Sequence, residues 1–135
     1  MNALPRSTGK AGLTAVLLFV VSLLLSCASA PVVPSGARSE LAPTGKLRAA
    51  INYGNPVLAQ KDPASGEPRG VSVDLARELG RRMGVPVELI TFDAAGKVFD
   101  ALKTGAWDIA FLAIDPARAT EIVFTAPYVV IEGTY

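Results

Sequence analysis

The sequence predicts an α/β fold, a three-layer sandwich with a mainly parallel sheet. Three observations lead there. From Lys46 onward, strand-like apolar runs alternate with segments of helical period, in the order β-α-β-α-β. That order implies right-handed crossovers and a sheet covered by helices on both faces. The segment from Asp108 to Ile114 is nearly continuous in apolar residues, which suits a central parallel strand.

The elements follow in chain order. Arg6 and Lys10 precede Ala11–Leu25, which holds no charge. As a helix this stretch spans about 22 Å, short of the roughly 30 Å hydrocarbon core, so it reads as a secretory signal. Ala28-Ser29-Ala30 fits a small-x-small cleavage rule, but Pro31 follows it and hinders cleavage. Leu24-Leu25-Ser26-Cys27 resembles the bacterial lipobox. That resemblance implies lipidation of Cys27 and a membrane-held mature protein; plain secretion and an uncleaved anchor are the alternatives. The expected organisation is a lipoprotein signal over 1–26, a flexible Pro/Ser/Ala/Gly tether over 27–45 and a folded lobe over 46–135.

Within the lobe, Lys46–Ile51 is the first strand, closed by the turn residues Asn52-Tyr53-Gly54-Asn55-Pro56. Lys61–Pro68 is a polar loop, read as a hairpin tip. The first helix of the lobe covers Val73–Met83, with Ser72 as its cap, Leu75, Leu79 and Met83 as its apolar stripe, and Gly84 as its stop. Arg77, Glu78, Arg81 and Arg82 make its solvated face. Val87–Phe92 is the second strand. Asp93 caps a helix over Ala94–Thr104 that buries Val98, Ala101 and Leu102. After the apolar run, Asp115-Pro116 opens a short helical turn. Ile122–Phe124 and Val129–Ile131 are expected as last, short strands.

Composition excludes much chemistry. The 135 residues carry a formal net charge of +1, no histidine and one cysteine. His-dependent catalysis, His-ligated metal sites and an internal disulfide are therefore ruled out. There is no P-loop or GxGxxG motif. Asp100 and Asp108 show no paired-carboxylate geometry. No cofactor and no metal are expected. No basic run points to nucleic acid.

Ligands of open α/β sheets bind beyond the carboxyl ends of the strands. Two segments sit there: Asn52-Tyr53-Gly54-Asn55, and Ala113 to Arg118. The helical turn offers backbone N–H groups, and Arg118 stands one turn in; together they are expected to hold a carboxylate or phosphate oxygen. The plain alternative is a surface ion pair of Arg118 with Glu121 or Asp115. Asp115 either supplies the opposite charge to a zwitterion or is used up capping its own turn. Tyr53 either stacks on a ligand or packs locally. Trp107 reads as core packing.

A family resemblance then emerges from an ordered succession of strings. They are Gly45-Lys46-Leu47-Arg48, Gly70-Val71-Ser72-Val73-Asp74-Leu75-Ala76, Gly84-Val85-Pro86-Val87-Glu88, Phe99-Asp100-Ala101-Leu102-Lys103-Thr104-Gly105-Ala106-Trp107-Asp108 and Pro116–Tyr128. Over residues 45–135 the chain closely resembles the family 3 extracellular solute-binding proteins, the polar amino-acid receptors of ABC importers. The resemblance implies the first lobe of a type II periplasmic-binding-protein fold, truncated at the hinge, with a second lobe outside this chain. It implies a binding protein rather than an enzyme, with a small-molecule ligand and an ABC permease as partners. It places the protein at the periplasmic face of a bacterial membrane, lipid-anchored, or soluble in the periplasm. Arg118 inherits the grip on a ligand α-carboxylate. Ala113 stands where the family usually has Ser or Thr, Phe111 and Leu112 where polar residues are frequent, and Leu58 where Phe is common. Asn52 and Asn55 take the places of an acidic and an aromatic residue, with Tyr53 displaced. These departures imply a less polar pocket, or a ligand lacking a full amino-acid head group. An enzyme on the same fold, similar to cyclohexadienyl dehydratases, and a receptor's sensor domain are the alternatives.

Overall fold

A computed structural model describes residues 33–132. The signal segment, Cys27 and residues 28–32 lie outside the described residues, as do 133–135. The described elements are helix α1 (Ser35–Leu41), strands β1 (Leu47–Asn52), β2 (Gln60–Lys61) and β3 (Pro68–Arg69), helix α2 (Val71–Met83), strand β4 (Val87–Phe92), helix α3 (Ala95–Asp100), a 3-10 turn at Ala101–Thr104, strand β5 (Ile109–Ala110) and a 3-10 turn at Arg118–Thr120.

The main sheet is parallel, in the order β4-β1-β5. β1 pairs with β4 along its whole length, Leu47 opposite Val87 through Asn52 opposite Phe92. It pairs with β5 only at Ala49–Ile109 and Ala50–Ala110. The expected hairpin forms, β2 against β3.

The sandwich is present, built on the period of two in β1. Ile51 packs with Ala59 and Val73 on the α2 face, and Ala50 packs with Val98 and Trp107 on the α3 face. Leu47, Ala49, Ala50 and Ile51 are all fully buried. Trp107 is core, its indole N–H donating to the Val98 carbonyl at 2.8 Å.

Several expectations are corrected. The strand at the centre is β1, not the apolar run, which forms a two-residue edge strand and then leaves the sheet. Past β5 the run is only partly covered: Phe111 and Leu112 are half-buried and Ile114 is exposed, so its apolar character reflects the groove it lines and not a place at the centre of the sheet. α2 begins two residues early with Gly70 as its N-cap, so Ser72 is a buried first-turn residue and makes no capping bond. Its buried stripe is Val73, Ala76, Gly80 and Met83, while Leu75 stays exposed. Gly80 causes that rotation. A Cβ there would sit 2.1 Å from Val87 Cγ2 and 3.1 Å from the Val85 carbonyl oxygen, so only glycine lets the helix lie so close to β4. Gly84 ends α2 in the left-handed region (φ 65°), as expected. Asp93 makes no capping bond and pairs with Lys97 at 3.1 Å. Ile122–Phe124 and Val129–Ile131 are not strands, because no described strand pairs with them.

Within the span read as a tether, α1 is held by polar contact rather than by an apolar stripe. Arg38 donates to the carbonyl of Met83 at the C-terminus of α2, where helix carbonyls lack partners, and Ala42 is buried.

β5 is too short to hold its place by pairing alone. A charged clasp does the rest. Arg48 Nη2 and Nε donate to the two Asp108 carboxylate oxygens at 2.6 and 3.1 Å, and Arg48 Nη1 donates to the Gly105 carbonyl at 2.6 Å. The backbones add Arg48 N–H to Asp108 Oδ2 at 2.9 Å and Asp108 N–H to the Arg48 carbonyl at 2.8 Å. The Asp108 side chain is only 6% exposed. Burial pushes its carboxyl up, but the hydrogen bonds and charge of Arg48 outweigh this and hold it below the usual carboxylate range.

Asp108→Asn removes the charge and destabilises the domain by about 2 kcal/mol, measured by urea unfolding at neutral pH. The sign with pH follows. A depressed carboxylate contributes stability above its unfolded pKa of about 3.9, and that stability is lost as pH falls through the lower folded value. Wild type therefore loses more stability on the acid side than Asp108→Asn, which keeps the contributions of Asp62 and Glu78, both also held below the usual carboxylate range. Gly80→Ala gains about 1 kcal/mol of helix propensity. The overpacking against β4 costs about 1–3 kcal/mol, so the net change in the same assay is destabilising.

Candidate functional site

The carboxyl ends of β1 and β5 face the same rim of the sheet because the strands are parallel. From that rim a groove of about 650 Å³ runs beside β5. Asn52, Asn55, Ala113 and Arg118 all line it, so four of the expected site residues come together. Tyr53 and Asp115 are not among its lining residues.

Each position has a local cause. Asn52 closes β1, and its Oδ1 accepts from the Gly54 N–H at 2.9 Å. The Asn55 Oδ1 accepts from the Val57 N–H at 3.2 Å. These side chains mimic backbone turns, which is why the chain reverses here. Tyr53 turns inward, onto Ile51, Ala59 and Val73, and burial raises its phenol above the ordinary value. The local-packing reading of Tyr53 is what this contact shows.

Asp115 caps its turn. Its Oδ1 accepts from the N–H groups of Ala117 at 2.8 Å and Arg118 at 3.3 Å. This corrects the expected anion site in one respect. The backbone N–H groups meant to share the work are already satisfied, so the Arg118 guanidinium is the donor left to an anion. Arg118 Nη1 donates to the Ala113 carbonyl at 3.2 Å, which aims the side chain back along the rim. None of the ion pairs among the described residues uses Arg118, so the surface pair with Glu121 or Asp115 does not form.

The groove wall is mainly apolar. Leu58, Phe111 and Leu112 are part of it. Phe111 meets Tyr128 edge to face, with ring centroids 6.0 Å apart. Sequence reasoning placed Tyr128 only within a family string and assigned it no role. Its contact with Phe111 depends on the path of the chain after Arg118, for which the sequence carries no local signal.

The Arg118 guanidinium thus stands at the rim of a mainly apolar, strand-end groove. Comparisons with known proteins identify the family. The family model of the bacterial extracellular solute-binding proteins, family 3, matches residues 47–135. Among solved structures, the arginine-bound form of domain 1 from TmArgBP, of T. maritima, is 26% identical with a TM-score of 0.57, covering 71% of this chain and 73% of that one. An ancestral cationic amino acid solute-binding protein is 29% identical with a TM-score of 0.59, over 67% of this chain and 40% of that one. An ancestral cyclohexadienyl dehydratase shares the fold, at 22% identity and a TM-score of 0.60, over 73% of this chain and 41% of that one. The chain thus spans about two fifths of the length of these two longer proteins. No curated protein sequence matches it significantly. With a family match across two strand-end loops that the fold brings to one groove, this chain belongs to the bacterial extracellular solute-binding proteins, family 3.

Proposed function

We propose that residues 46–135 are the first lobe of a two-lobed receptor that binds a small solute carrying a carboxylate, an amino acid or related organic anion, and presents it to an ABC permease. The observation that carries this reading is the Arg118 guanidinium. It lines the groove at the strand-end rim, it is steered by the Ala113 carbonyl, and it is engaged by no carboxylate among the described residues. A guanidinium so placed takes a carboxylate in a bidentate fork, which a lysine would not reproduce. Asn52, Asn55 and Ala113 border the same space, with Asp115 holding the turn that bears Arg118.

The structure of domain 1 from TmArgBP in an arginine-bound form supports the idea that a single lobe retains affinity. Closure of a second lobe on the ligand then adds contacts and selects the closed state. The lipobox-like Leu24-Leu25-Ser26-Cys27 supports a lipid on Cys27 and a location on the periplasmic face of a membrane. Among the described residues no helix is long and apolar enough to cross a membrane.

A thermal-shift screen of amino acids and small organic acids finds the best binder, and calorimetry then measures Arg118→Ala. At least a tenfold weaker affinity is expected, about 1.4 kcal/mol, with unchanged far-UV circular dichroism. Unchanged affinity removes Arg118 from the site. Cys27→Ser is expected to move the protein from the membrane to the soluble fraction, followed by fractionation and immunoblot; retention in the membrane excludes the lipid anchor.

A further inference from the structure

Resting on that reading of the groove, we infer that the site in this lobe takes a carboxylate with an uncharged, apolar body, and discriminates against ligands that also carry an ammonium or guanidinium. The argument is an inventory of charge. Arg118 gives the groove one positive group. The carboxylate among its described lining residues is Asp108, and both its oxygens are bound by Arg48. Asp115, the nearest acidic residue in sequence to Arg118, spends Oδ1 on its own turn and does not line the groove.

Three of the neutral acceptors are committed too, while the hydroxyls of Ser72 and Thr125 at the groove carry no charge. Asn52 Oδ1 holds the Gly54 N–H, Asn55 Oδ1 holds the Val57 N–H, and the Ala113 carbonyl already takes Arg118. Ala113 itself brings no hydroxyl. A ligand ammonium entering this space leaves water and meets no free counter-charge, which is unfavourable. An apolar body instead meets Leu58, Phe111, Leu112 and the ring of Tyr128, and its burial is favourable. This preference differs from that of the arginine-bound domain 1 from TmArgBP, whose ligand is cationic.

The test uses ligands that differ in one group. The full chain is titrated by calorimetry with 3-phenylpropionate, with phenylalanine, which has the same skeleton plus an ammonium, and with arginine. 3-Phenylpropionate is expected to bind at least tenfold tighter than either amino acid, and Arg118→Ala to lose that binding. Asn55→Asp keeps the acceptor for Val57 and adds a negative charge at the groove, so it is expected to narrow the gap between 3-phenylpropionate and phenylalanine at least threefold. If phenylalanine or arginine binds as tightly as 3-phenylpropionate, the selectivity inferred here is overturned while the carboxylate-receptor reading stands. If none of the three binds, or if Arg118→Ala leaves 3-phenylpropionate binding intact, both are overturned. An unchanged ratio in Asn55→Asp overturns the charge argument alone.

Discussion

The clasp between Arg48 and Asp108 joins the start of β5 to the start of β1, at the end of the sheet opposite the Arg118 rim. β5 shares only two register pairs with β1, too few to fix a strand that must carry Arg118 into position. The clasp supplies what pairing does not. A forked guanidinium grips both carboxylate oxygens, and the two backbones exchange bonds with each other and with the carboxylate. Its geometry is directional, so it sets the register of β5 as well as its proximity. From Asp108 the chain then runs along the groove to the Ala113 carbonyl and the Asp115 turn. The orientation of Arg118 is thus anchored by charge at one end and by a cap at the other.

The site is organised so that one cation remains available. A guanidinium on a protein surface ordinarily finds a carboxylate within reach, and Asp115 is close in sequence. Asp115 is held instead by the N–H groups of Ala117 and Arg118. The same bonds shape the turn that holds the arginine and keep its nearest acid from neutralising it. A single capping residue therefore orders the loop while making no ion pair with Arg118.

Close packing sets the third constraint. Ala49 and Ala76 are small and buried, and Gly80 has no side chain, so α2 lies close enough to β4 that a Cβ at Gly80 would meet Val87. The helix register follows from that approach and not from the most regular apolar stripe. At the C-terminus of α2, Arg38 from α1 satisfies a helix-end carbonyl. The segment leading into the lobe is therefore docked on it through Arg38 and Ala42.

Local chemistry was enough for much of this. The strands at Leu47–Asn52 and Val87–Phe92, the glycine stop at Gly84, the Asp115 cap and the hairpin at Lys61–Pro68 each follow from residue type and spacing, because each is decided within a few residues. The grouping of Asn52, Asn55, Ala113 and Arg118 was legible once the strands were parallel, since parallel strands bring their carboxyl ends to one edge. Three things were beyond the sequence. Strand order was, because apolar runs report burial and not neighbours, so β1 took the centre that Ile109–Ile114 had been given. The face of α2 was, because it depends on how near Gly80 lets the helix come to Val87. The inward turn of Tyr53 and the commitment of Asp108 to Arg48 were, because each depends on a partner distant in sequence. Residue chemistry at short range fixed the elements and the rim; only three-dimensional packing decided that Asp108 is committed to Arg48 while Arg118 pairs with no carboxylate among the described residues.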